Sequence, residues 1–340
     1  VKAVRSLIIF GSLVGVAACS AGVAPTPSAF GVQHSASIWS RPVSPAKATF
    51  KEFTVPTASA GAYKMVYGPN GQYWFTEFLA GKIGEVSSTG TFTQFGIPTE
   101  SAGPDSITVG PDKNLWFAEG SADKIAFVTI KGLFTEFKIP TVGAGPSVIR
   151  SGAGKVLWFT ERLGDKIGKI TTAGKITEFD IPTASSEPSG LTIGPDKAIW
   201  FTENQGNKIG RMTTAGKFTE YPVPTSASIP AGICVGTDKN LWFTEASGDK
   251  VGRITTAGKI TEFAIPTASS QPGVIEPGKG AIMWFAEYTT GKIASVTTAG
   301  KITEYAIPGG SDSGPVGVAP HGTAVWATQY KSNQILHFMP

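Results

Sequence analysis

Trp200-Phe201-Thr202-Glu203 decides the fold, because the chain keeps repeating it. The tetrapeptide recurs as Trp74-Phe75-Thr76-Glu77, Trp158-Phe159-Thr160-Glu161 and Trp242-Phe243-Thr244-Glu245. With alanine in third place it stands at Trp116-Phe117-Ala118-Glu119 and Trp284-Phe285-Ala286-Glu287, and a worn copy, Trp326-Ala327-Thr328-Gln329, ends the series. Each tryptophan follows the last by 42 residues, and these positions take seven of the chain's 8 tryptophans. A period of that size over most of 340 residues signals a repeat architecture rather than two or three unrelated domains.

Outward from the tetrapeptide, one unit reads Pro188-Ser189-Gly190-Leu191-Thr192-Ile193-Gly194, a Pro195-Asp196-Lys197 turn, then Ala198 to Glu203. Asn207 to Met212 follows, then a Thr213-Thr214-Ala215-Gly216 turn and Lys217 to Tyr221. Four short β-rich runs, A to D, are separated by Gly, Pro, Asp and Asn, and no stretch carries a helical period. Seven such units make an all-β, seven-bladed β-propeller with four antiparallel strands per blade. The last unit ends after strand C. Its missing strand D is at the other end of the chain, where Phe50–Thr57 matches Ile260–Thr267 in the same register. The segment 50–57 therefore completes the last blade and removes the open edges of an unclosed array.

The 42 glycines and 24 prolines fall at fixed places in the period, so they mark turns. A net charge of +4, spread without basic runs, excludes a nucleic-acid surface. Residues 1–19 read as a signal peptide. Lys2 and Arg5 precede an apolar run, Leu7 to Ala18, too short to span a bilayer, and Val16-Ala17-Ala18-Cys19-Ser20 resembles a bacterial lipobox. Export to the cell envelope follows, with Cys19 lipidated and the protein held to a membrane, or secreted. Residues 20–48, rich in Pro, Ser and Ala, read as a flexible tether, and the propeller occupies 49–340. Cys234, within an apolar strand, reads as a small buried hydrophobe. A monomer is expected.

The seven units also control for one another. The residue three after each Trp is Glu in six units and Gln329 in the seventh. The residue eight after is Lys in six units (Lys82, Lys124, Lys166, Lys208, Lys250, Lys292) and Gln334 in the seventh. Loss of both in one blade suggests an ion pair across the B–C hairpin, a scaffold feature rather than a metal ring. The Thr and Glu of each Thr-Glu-Phe run are expected to face outward on strand D. Function lies where units differ. At the D–A loops and first strand-A residues, around the channel mouth, the departures are Tyr63, Lys64, Asp105, Arg150, Glu187 and Glu276. They read as a polar ligand pocket, with Asp105, Glu187 and Glu276 as acceptors and Arg150, Lys64 and Tyr63 as donors, or as charges facing channel water or each other.

The unit Pro-x-Gly-Ile-Thr-x-Gly, Leu-Trp-Phe-Thr-Glu, Asn-Lys-Ile-Gly-Arg-Ile-Thr-Thr-x-Gly-Lys-Ile-Thr-Glu-Phe resembles the streptogramin B lyase (virginiamycin B lyase) family from Phe50 to the C-terminus. The resemblance implies seven-bladed propellers that open cyclic depsipeptide antibiotics by magnesium-assisted elimination. It implies a Glu-Pro-His-Gly motif opening the last blade, a second His opening the blade before, and a metal-binding Glu past the last Trp. Here those places hold Gly314, Val316, Gly273, and Gln329 with Tyr330. His34 lies in the tether, His321 in an A–B turn and His337 on the last strand C, so no catalytic residue is assigned. The expectation is a module binding an unknown small molecule or protein at the mouth, without the family's elimination. Its rivals are a carbon-oxygen lyase or lactonase-like enzyme acting on cyclic esters with a divalent metal, magnesium by resemblance, and a structural envelope protein.

Overall fold

A computed structural model describes residues 48–340. The expectations placed on Cys19, the signal peptide, His34 and the tether up to residue 47 lie outside the described residues. The described chain forms seven four-stranded antiparallel sheets. In blade 1 the strands are Ala62–Tyr67 (A), Tyr73–Glu77 (B), Lys82–Val86 (C) and Phe92–Gly96 (D), and the order A-B-C-D repeats in every blade. The last blade takes Pro315–His321, Ala324–Gln329 and Gln334–Met339 as A to C, and Thr49–Thr54 pairs with its strand C as D. Thr54 ends that strand slightly short of the expected segment, and the backbone then bonds from Val55 N–H to Asn333 O, 3.0 Å. The seven A strands touch in sequence around a closed ring.

The tetrapeptide earns its repetition in packing. Trp74, Ile83 and Ile97 of blade 1 share one core cluster with Ile107, Leu115, Phe117, Ala126 and Val128 of blade 2. Trp326 likewise meets Phe75 across the closure. The Trp of one blade thus packs against the Phe of the next, and both are removed from water at each seam. The indole also stacks on an aromatic of its own strand D, as in Trp200–Tyr221 at 5.7 Å and Trp242–Phe263 at 5.5 Å. The Thr hydroxyl stitches neighbouring strands. Thr76 Oγ1 accepts from Lys64 N–H (3.1 Å) and donates to the Asp105 carbonyl of the next blade (2.9 Å).

The Glu and Lys are in register, Glu119 opposite Lys124, but they do not form the expected ion pair. Lys124 instead bonds Glu136 of strand D at 2.8 Å, as Lys208 does Glu220 (2.7 Å) and Lys250 does Glu262 (2.9 Å). These strand-D glutamates do not face outward as expected. Each reaches back over the seam to the Thr that follows the preceding blade: Glu220 accepts from Thr183 N–H (3.2 Å) and Oγ1 (2.9 Å). The reason is geometric. A lysine beside two carboxyls chooses the one that can also be hydrogen-bonded by the neighbouring blade, leaving the other inside.

Glu77, Glu119, Glu161, Glu203, Glu245 and Glu287 are fully buried. Burial, and then the negative neighbour, pushes Glu119 and Glu161 up to about 8 and Glu203 and Glu245 up to about 7. Blades 1 and 7 show the same arrangement by other means. Gln94 donates to Glu77 (2.6 Å), and Gln329 donates to Glu52 of the closing strand (2.9 Å). An amide can serve in the seventh blade because burial raises the corresponding glutamates and so favours their uncharged form.

Candidate site at the propeller mouth

Strand A begins at the D–A loop and strand B ends in the B–C turn, so one rim carries both sets of loops, while the A–B and C–D turns lie at the opposite rim. His321, at the A–B end, stacks on Tyr67 at 3.8 Å, and His337 stacks on Trp326 at 4.8 Å. Neither is at the mouth.

Every A–B ladder slips after its opening residue, alanine in blade 1 and proline in the others, for example between Pro146 and Ile149. This bulge inserts an extra residue at the rim and re-aims two side chains per blade, a device common beside binding sites. Tyr63 and Lys64, Asp105 and Ser106, and Ser147 and Val148 occupy it in blades 1 to 3. Blades 4 and 5 put glycine second; a Cβ on Gly190 would lie 2.2 Å from the Ala231 carbonyl oxygen, so the bulges nest backbone to backbone there.

The six residues picked out by sequence lie at this rim and bore. Of the five charged ones, two pair with each other, one pairs with a residue outside the set, and two stay unpaired. Arg150 and Glu276 form an ion pair although 126 residues, three blades, separate them. Blades 3 and 6 stand on opposite sides of the ring, so this pair crosses the bore and floors the mouth. Glu187 pairs with Arg162 at 3.0 Å. Arg162 was not among the expected residues, yet its signal is in the repeat: the residue after each Glu is Phe78, Gly120, Arg162, Asn204, Ala246, Tyr288 and Tyr330, the most varied position beside the most constant.

Lys64 and Asp105 form the third set, and they do not meet. Each feels the other's charge, yet neither belongs to an ion pair. Asp105 Oδ2 accepts from Ser147 Oγ at 3.0 Å, while Oδ1 is buried with no hydrogen-bond partner. The Lys64 ammonium rests 4.6 Å from the Tyr63 ring centre and makes no hydrogen bond among the described residues. Burial lowers the Lys64 amine to about 8 and raises the Asp105 carboxyl. Tyr63 packs on Phe78 (5.7 Å) and Tyr330 (6.0 Å), and burial, aided by Asp105, raises its hydroxyl strongly. One wall of the mouth is therefore aromatic.

The rim is also strained along one arc. Blades 1, 2, 3 and 7 place Gly61, Gly103, Gly145 and Gly314 before the first residue of strand A, all with positive φ. Blades 4, 5 and 6 hold the same conformation with Glu187 (φ 47), Ile229 (φ 52) and Gln271 (φ 47). A β-branched residue in the left-handed region is rare and costs about 1–3 kcal/mol. The arc keeps side chains where glycine would be easier.

The sequence profile described as the virginiamycin B lyase family matches residues 48–338. The chain belongs to the virginiamycin B lyase family. Among solved structures, selenomethionine-substituted virginiamycin B lyase from Staphylococcus aureus is 38% identical with a TM-score of 0.83, covering 86% of this chain and 100% of that one. A catalytically inactive histidine-to-alanine variant of the Staphylococcus aureus enzyme, solved with quinupristin, aligns with the same TM-score, identity and coverage. Hydrazine synthase from Kuenenia stuttgartiensis shares the fold alone, at 16% identity and a TM-score of 0.68, over 83% of this chain and 96% of that one. None of the curated proteins matches the sequence.

Against the family's expected constellation, Gly314 (φ 56) and Val316 open blade 7, and Gly273 opens blade 6. Gln329 is fully buried and turns its amide to Glu52 and Ser332. Magnesium wants carboxylate oxygens, and these positions supply none, so they do not fit the ion the family resemblance implies. Among the described residues, no three His, Cys, Asp or Glu side chains gather as a metal centre.

Proposed function

We propose that this protein is an exported member of the virginiamycin B lyase family that binds a ligand at the propeller mouth and has lost the family's elimination chemistry. The observation that carries the reading is Lys64 and Asp105, two half-buried charged groups left without an ion-pair partner beside an aromatic wall. The Asp105 Oδ1 atom is itself buried and unbonded, while the neighbouring Arg150, Glu276, Arg162 and Glu187 are paired. Uncompensated buried charge costs stability, and sites that tolerate it are enriched in binding function. Loss of elimination is supported by Val316 and Gly273, which cannot take a proton, at the two histidine places. Export and a membrane anchor are supported by the apolar run Leu7 to Ala18 ending at Cys19.

The reading is tested by thermal-shift screening of a metabolite and peptide collection against the parent and against Asp105→Asn and Lys64→Gln. Hits that stabilise the parent and not the variants support it; hits that stabilise all three equally take the mouth out of binding. Cys19→Ser should release the protein from the membrane fraction.

A second reading has one observation in its favour. The Lys64 amine, lowered to about 8, is a base available near neutral pH. A lyase using Lys64 in place of histidine would open cyclic esters with a rate that disappears in Lys64→Gln.

A further inference from the structure

The charged groups of the mouth form a closed ledger with one exception. Arg150 is matched by Glu276 and Arg162 by Glu187. What remains is one ammonium and one carboxylate, Lys64 and Asp105, within range of each other's field but too far apart to bond. The cross-bore pair lies further along strand A than the bulge residues and spans the bore beneath the cup of the mouth. A single net charge on a ligand would satisfy one of the two groups and leave the other exposed to it. A neutral ligand could hydrogen-bond both groups but would balance neither charge. A molecule carrying both signs balances both.

We propose that the cup binds a small zwitterion with an apolar or aromatic body, the chemical class of a free aromatic α-amino acid, its carboxylate on Lys64 and its ammonium on Asp105 Oδ1. This deepens the mouth-binding reading and rests on it. Because the two groups do not bond each other, each is left to meet one end of a ligand whose charged ends lie on one carbon. Lys64 and Asp105 come from bulges of adjacent blades, which holds them apart: Thr76 fixes the Lys64 backbone to the Asp105 carbonyl, and Ser147 of blade 3 holds Asp105 Oδ2 so that Oδ1 is left free. The ring wall of Tyr63, Phe78 and Tyr330 is where an aromatic side chain would rest, edge or face on, at the separations those rings already keep with each other. Arg162 Nε, buried without a hydrogen bond, is a further donor on the same side as Glu187.

The alternative occupant of the gap is water, bridging ammonium to carboxylate without any ligand. Calorimetric titration of the intact protein with L-phenylalanine, N-acetyl-L-phenylalanine and L-phenylalaninamide separates the two. The expected result is binding of the free amino acid, weakened at least tenfold by acetylating the amine or amidating the carboxylate. Asp105→Asn should abolish the penalty for acetylation, and Lys64→Met the penalty for amidation, each leaving the other intact. Lys64→Met should also raise the melting temperature of the free protein, which shows that the variant folds and that the parent holds an uncompensated charge. Equal affinity for all three probes, or none for any, overturns the zwitterion assignment. If mouth-dependent hits appear in the broader screen while phenylalanine fails, the binding reading stands and only the ligand class falls.

Discussion

Two sets of carboxyls in this molecule, one fully buried at the seams and one half-buried at the mouth, make opposite use of their surroundings. At the seams, Glu119, Glu203 and Glu245 are pushed up to about 7 or 8 and sit beside a second glutamate that bonds a lysine and reaches the preceding blade. Glu161, pushed up to about 8, sits beside Glu178, which reaches the preceding blade while Lys166 pairs with Asp180 instead. At the mouth, Asp105 and Glu276 are also raised, first by burial, but each lies near a cation of another blade, and Asp105 is left half satisfied. The seam carboxyls repeat because each blade poses the same packing problem. The mouth carboxyls occur once each, where the repeat breaks, and their partners are cations or hydroxyls of other blades. Repetition thus separates the two sets, although both are raised by burial.

Breaking the seam at its closure should have the largest effect. A chain lacking residues 48–57 loses Glu52, the partner of Gln329, and Thr57, which accepts from Lys82 at 2.9 Å. It also loses Phe53, stacked on Trp326 at 5.6 Å. We expect no cooperative thermal transition, or a midpoint lower by more than about 10 °C, given that a 1 kcal/mol loss shifts a protein of this size by about 2–4 °C and a lost core ring costs about 3–5 kcal/mol. An unchanged midpoint would mean that the ring is closed in some other way.

Next in size is the bore. Arg150→Ala leaves Glu276 without its partner and should cost about 1–3 kcal/mol by denaturant titration, less than a wholly buried pair because channel solvent reaches both side chains. The double variant Arg150→Met with Glu276→Leu should recover most of the loss. A double variant as unstable as the single one would show that the pair does more than close on itself.

The seams should then govern the pH dependence. An unfolded glutamate titrates near 4.5, while the folded seam acids keep their proton to about 7 or 8. Between those limits the folded state binds more protons than the unfolded one, so stability falls as pH rises from about 5 to 8. Glu136 and Glu262, held below the ordinary range by the lysine and threonine that bond them, act in the other direction and lose their contribution as the pH falls through their folded values. Maximum stability is expected in the mildly acidic range. Glu203→Gln should flatten the alkaline decline in chemical denaturation without loss at pH 5, much as Gln329 replaces the acid in the last blade.

The smallest effect belongs to Cys234, which joins neither set. Its thiol is buried and pushed well above its usual value by that burial. It should resist a water-soluble thiol reagent in the native protein and react at once in denaturant.

The blades were legible in sequence because a 42-residue ruler needs no knowledge of contacts. The seven tryptophans counted the sheets, and the match of Phe50–Thr57 to Ile260–Thr267 found the closing strand. The seams were read only in part. Glu119 and Lys124 are opposite in register, as the hairpin required, but the choice of Glu136 depends on Thr99 of the preceding blade, which no spacing within one unit reveals. The mouth residues were visible as departures from the repeat. Their partners were not, because Arg150 and Glu276 meet across the bore and sequence distance says nothing about a diameter. Arg162 was not singled out, though its place in the unit varies from blade to blade beside a nearly constant Glu.

The central claim is that the family's scaffold is kept here while its bond-breaking groups are gone. It is tested most directly by incubating the protein with quinupristin and magnesium and separating the products by liquid chromatography with mass detection. Elimination would give a linear product of unchanged mass and new retention time, and hydrolysis one heavier by a water. The account expects the cyclic compound to be recovered intact after many hours, alongside an active virginiamycin B lyase that consumes it. Opening of the ring by this protein, lost on replacing Lys64, would contradict it and make the mouth an active site.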